Sequence, residues 1–129
     1  MQIKHAIHDG RRGLLAAALA LVGSAGLAAP DPAGPWQVVG RQGILLHVIV
    51  PAAQARDREA YQREIPAICG GNETCFVNFY TNSTGATLAL PLPDAIAAEA
   101  TAVLRRSAKQ GAEGFRWSCR LARPDPGCF

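Results

Sequence analysis

Beyond residue 28 the chain holds a single histidine, His47, and imidazole is the side chain best placed to carry a proton near neutral pH. Its neighbours Leu45, Leu46, Val48 and Ile49 make the surrounding run apolar. As a general base it would draw on Ser118 and Asn78, the strand-borne polar groups that one sheet could project beside it, and the protein would be a small periplasmic hydrolase. No nucleophile-elbow pattern surrounds Ser118, and the simpler reading of a mid-strand histidine is a neutral, structural one. One histidine with scattered carboxylates does not supply the clustered ligands of zinc or iron sites. No glycine-rich phosphate loop follows a strand, so neither a metal nor another cofactor is expected.

Four cysteines, Cys69, Cys75, Cys119 and Cys128, offer a second chemistry. Thiol exchange favours a thiolate activated at a helix N-terminus, whereas Cys69 falls at the C-terminal end of a helical pattern and Cys75 opens a strand. A four-thiolate zinc site wants two residues between paired ligands, and here five and eight intervene. An even count in a short exported chain points to disulfides. Of the three pairings that four cysteines allow, Cys69 with Cys75 and Cys119 with Cys128 are favoured, because each pair is close in sequence and spans turn-forming residues.

The third feature is charge. Residues 101–129 carry Arg105, Arg106, Lys109, Arg116, Arg120 and Arg123 against Glu113 and Asp125, while 29–100 hold seven carboxylates against four arginines. Arg105 and Arg106 are expected at the end of a helix, with Arg116 and Arg120 on the strand face that bears Ser118. Such a patch suits an anionic surface or an acidic envelope protein, and a solvated face is the plainer alternative.

Export is read from the first 28 residues. A leader with Lys4, Arg11 and Arg12 precedes the apolar run Leu14 to Val22 and the small residues Gly23 to Ala29, the order of a secretory signal peptide cut after Ala28. The run is well short of the ~20 residues that cross a bilayer, so no transmembrane segment remains after cleavage. Removing the leader leaves ten cations and nine carboxylates, which withdraws support for nucleic-acid binding.

These groups need elements to hold them. Residues 29–35 form a flexible leading segment, and 36–129 one small domain. Trp36 to Val39 reads as a short strand turned by Gly40 to Gly43 into Ile44 to Val50, whose apolar character on both faces marks it as central. A helix is expected from about Ala53 to Ile65, with Pro66 interrupting its last turn and Cys69-Gly70-Gly71 ending it. Cys75 to Thr81 is a second strand, Asn82 to Gly85 a turn, and a second helix is expected from Pro93-Asp94 to about Gln110. Phe115 to Leu121 alternates like a half-buried edge strand.

The expected architecture is therefore α/β or α+β: a sheet of three or four strands with two helices, in the order β(β)αβαβ. A parallel first β-α-β unit and strand order 2-1-3 would centre the apolar run. For function, a non-catalytic binding module of the cell envelope, periplasmic or secreted, stands ahead of the His47 hydrolase.

Overall fold

The computed structural model describes residues 35–129, so residues 1–28, read above as a signal peptide, and nearly all of the expected leading segment lie outside the described residues. The chain folds as a mixed α/β unit around one five-stranded sheet, one strand more than the largest expected number. In chain order the strands are β1 (Gln37–Gln42), β2 (Leu45–Ile49), β3 (Cys75–Tyr80), β4 (Ala100–Ser107) and β5 (Ala112–Trp117). Helix α1 (Arg58–Cys69) links β2 to β3, and the single turn α2 (Asp94–Ala97) precedes β4.

Spatial order follows chain order, β1-β2-β3-β4-β5. The β2–β3 pair is parallel and every other pair antiparallel. This corrects the 2-1-3 arrangement: the free side of β2 is taken by the β1 hairpin, and β3 rather than β2 is the middle strand. The hairpin turn is Gly43-Ile44 instead of Gly40 to Gly43. Gly43 takes φ +59° at the first central position, as a type II′ turn requires, and Gly40 lies within β1 at a register shift.

The second correction is larger. The stretch expected to run as a helix to Gln110 is helical only from Asp94 to Ala97 and then becomes β4, which lies between β3 and β5. Ala, Leu and Arg favour helices intrinsically, but a central strand gains its stability from partners on both sides, and that tertiary term prevails. Ala102 and Leu104 turn into the core in strand alternation.

Helix α1 begins later than its charge pattern implied. Asp57 is its N-cap and accepts hydrogen bonds from the amides of Glu59 (3.1 Å) and Ala60 (3.3 Å). The helix passes through Pro66 to Cys69 rather than breaking there, and Gly70 terminates it at φ +72°. Its buried line, Tyr61, Ile65 and Cys69, repeats every four residues and packs on one face of the sheet against Val48, Val77, Phe79 and Leu104.

Tyr61 is the hub of this layer. Its ring meets Trp36, Phe79, Phe115 and Trp117 edge-on at centroid distances of 4.9 to 5.3 Å. Its hydroxyl donates to Ala55 O and bonds Thr101 Oγ1, each at 2.8 Å. The opposite sheet face is covered at one end by the segment between β3 and β4, where Ile96 packs on Ile49 and Tyr80.

Two disulfides fasten the ends of this framework. Cys69–Cys75 ties the end of α1 to the start of β3, and Cys119–Cys128 closes the C-terminal loop. Among the described residues no cysteine is free.

Candidate functional site

His47 and Asn78 are register partners on β2 and β3, so their side chains leave the same sheet face, the one opposite α1. They are not partners in chemistry. His47 is 5% exposed, neither ring nitrogen has a hydrogen-bond partner, and the ring stacks on Tyr80 at 5.9 Å. Burial lowers its pKa below the usual imidazole value.

The Asn78 amide is engaged elsewhere. It donates to the Tyr80 hydroxyl at 3.2 Å and accepts from Arg105 at 2.8 Å. Ser118 follows the end of β5, three strand spacings or roughly 14 Å from β2 in the sheet order. The three polar groups named for a hydrolytic site are thus not assembled into one.

The arginines also divide. Arg105 and Arg106 sit in β4, not at a helix end, so strand alternation sends them to opposite faces. Arg105 joins Arg116 on the face of Asn78 and spends its guanidinium on Val77 O, Leu104 O and Asn78 Oδ1. Burial, then the nearby Arg116 charge, lowers the Arg105 pKa, with Tyr80 opposing. Arg116 lies over the Phe129 ring at 5.8 Å. Arg120 lies beyond β5 in a short 3₁₀ turn and donates to Ala100 O at 3.0 Å. Arg106, on the face of α1, reaches Gly70 O and Gly71 O and pairs with Glu113 at 3.3 Å.

A concave surface lies beside Arg106. Helix α1 and the β4–β5 hairpin border a groove of about 420 Å³, floored by Ile65, Leu104 and Phe115 and flanked by Arg58, Gln62 and the Arg106–Glu113 pair. The Arg58 guanidinium stands 4.3 Å from the Phe115 ring centre, and further along β5 Arg123 stands 4.5 Å from Trp117. Arg106–Glu113 is the only salt bridge among the described residues; Arg58 makes none, though its charge and that of Arg116 act on the Asp125 carboxylate, and Arg123 donates to Arg56 O. An apolar floor with guanidinium groups around it suits a ligand that is partly apolar and carries negative charge.

Sequence reasoning named Arg123 within the basic C-terminal stretch but passed over Arg58 and Phe115 as site residues. Arg58 left one usable sign: a cation in the first turn of a helix opposes the macrodipole, so its placement asks for another explanation. Phe115 and Trp117 both read as inward residues of an edge strand, and only the path of α1 shows which of them borders a groove.

The free backbone of β5 completes the site. At Trp117 the amide donates to Asp125 Oδ2 at 3.1 Å and the carbonyl accepts from Phe129 N at 3.2 Å, so both groups point away from β4. The amides of Trp117 and Gly127 hold the Asp125 carboxyl below the ordinary carboxylate range. In an antiparallel ladder this direction repeats at every second residue, which turns the amide and carbonyl of Glu113 and Phe115 outward as well. No backbone hydrogen bond takes them among the described residues.

Among the described residues no three His, Cys, Asp or Glu side chains gather as a metal cluster, and no helix is long and apolar enough to cross a membrane. Comparison of the chain with protein-family models, curated proteins and solved structures found no match.

Proposed function

We propose that this domain is a non-catalytic binding module of the cell envelope, periplasmic or secreted, and that it holds an anionic partner in the groove between α1 and β5. The observation that supports the reading is the pairing of an apolar floor with Arg58, which forms no salt bridge among the described residues while the groove's own carboxylate, Glu113, is paired with Arg106. The covered state of His47, with both ring nitrogens away from any polar partner, favours binding over a base-catalysed hydrolysis at that residue. An oxidising compartment fits the two disulfides, and the leader at 1–28 is the proposed means of reaching it.

The test uses fluorescence anisotropy with labelled poly-glutamate and poly-lysine peptides and the purified protein. The reading expects binding of the acidic peptide alone, weakening as salt screens the charges, and its loss in Arg58→Glu. Equal binding of both peptides, or none, contradicts it. For location, the intact mass of the protein recovered from the periplasm or medium is expected to match a chain cut after Ala28 with two disulfides. A full-length chain with four free thiols in the cytosol contradicts it.

A further inference from the structure

The groove and the outward backbone of Glu113 and Phe115 lie along the same stretch of β5. We infer that the partner binds as an added strand: an extended acidic segment of another protein pairs with the free edge of β5 and sets alternate side chains into the groove. This inference rests on the binding reading above and names the partner's form.

Strand addition needs unpaired donors and acceptors in a row, and pockets for every second side chain. β5 has both. The side chains of Glu113 and Phe115 lie on the α1 side, so a partner residue set opposite Phe115 points into the groove above Ile65 and beside Pro66. Its two neighbours in the partner strand point to the other face. There Gly114 leaves open space, since nothing lies within 4 Å of where its Cβ would be, and Arg116 is exposed. Apolar residues facing the groove and carboxylates facing Arg116 therefore match the chemistry on each side.

The length of the added strand is also set. At the Trp117 end the edge is already taken by Asp125 and Phe129. At the other end the chain turns back at Gly111, with φ +62°. The free stretch between them accommodates a strand of about four residues. Charge selects the occupant: Arg58 and Arg116 border this stretch, while the nearby carboxylates are engaged, Glu113 by Arg106 and Asp125 by the amides of Trp117 and Gly127.

The experiment compares three labelled hexapeptides with the purified protein by anisotropy. The parent alternates glutamate with valine, and two derivatives are N-methylated at either all the valine or all the glutamate nitrogens. N-methylation keeps charge and side chains but removes donors from one edge of the strand. One derivative is expected to bind about tenfold more weakly or worse, the scale of one or two lost hydrogen bonds, while the other stays near the parent. In the protein, Glu113→Pro removes an outward donor without touching the β4 ladder and is expected to weaken binding similarly, while Glu113→Ala retains it. If the parent binds and both methylated peptides bind equally well, strand addition is wrong while the binding reading stands. If the parent does not bind, or a lysine-valine peptide binds better, the binding reading fails and this inference fails with it.

Discussion

The guanidinium of Arg58 lies 4.3 Å from the centre of the Phe115 ring and so joins the first turn of α1 to the edge strand of the sheet. Such a contact at an exposed site contributes about 0.5–1 kcal/mol to folding. Arg58→Ala is therefore expected to lower the urea-unfolding free energy by no more than that, while weakening binding of an acidic peptide through the lost charge at the groove rim. A large loss of stability with unchanged affinity would show Arg58 to be structural only.

Gly40 lies opposite His47 in the β1–β2 register, and a Cβ added there would come 2.7 Å from Leu90 Cδ1. Gly40→Ala is expected to destabilise the fold, both by displacing Leu90 and because φ is +156° at that position. Gly114→Ala, which meets nothing within 4 Å, is expected to change the unfolding midpoint little. The comparison is read in parallel urea melts.

His47 predicts a pH dependence with a definite sign. Its folded pKa lies below 6.5, so as pH falls through 6.5 the unfolded chain takes up the proton first. Stability is then full above about pH 6.5 and declines towards the lowered folded pKa. His47→Leu removes two buried nitrogens without partners, a defect of about 1–3 kcal/mol. It is expected to raise the urea midpoint at pH 5 and flatten its slope between pH 7.5 and 5.

Tyr61 works in the alkaline range. Burial pushes its phenol well above the usual value, against the smaller opposing effects of the Thr101 hydrogen bond and the Arg120 and Arg123 charges. The folded protein keeps that proton after the unfolded chain has lost it, so stability falls as pH rises through about 10. Ultraviolet titration is expected to show Tyr61 ionising only on unfolding. Tyr61→Phe, which deletes bonds to Ala55 and Thr101, is expected to cost about 1–2 kcal/mol.

The Cys119–Cys128 bridge holds the loop that covers the Trp117 edge of β5. Replacing both cysteines by serine is expected to cost about 2–3 kcal/mol in the chain-entropy account. Faster hydrogen exchange at the Trp117 amide, with protection at Val77 retained, would accompany that loss. Unchanged exchange at Trp117 would show the loop to hold without its disulfide.

Where the sequence was legible, one local signal dominated. The apolar run at β2, the aromatic and β-branched run at β3 and the Cys69-Gly70-Gly71 stop that ends α1 each mark one element. β4 was illegible because Ala100 to Arg106 is rich in helix formers, and only its two strand neighbours make it extended. That single misreading also scattered the basic patch, since Arg105 and Arg106 would lie about 100° apart around a helix but point to opposite faces of a strand. The groove was hidden for a different reason: Arg58 and Phe115 are 57 positions apart in sequence, and their meeting depends on how α1 crosses the sheet.

The central claim is that an acidic, extended partner is bound between α1 and the edge of β5. Amide chemical-shift mapping of the isotopically labelled protein, titrated with the glutamate-valine peptide, tests it most directly. The account predicts concentrated shifts at Arg58, Gln62, Glu113, Gly114 and Phe115, with the amides of Glu113 and Phe115 gaining protection from exchange. Shifts centred on His47 and Tyr80, or spread thinly over every exposed arginine, would contradict it.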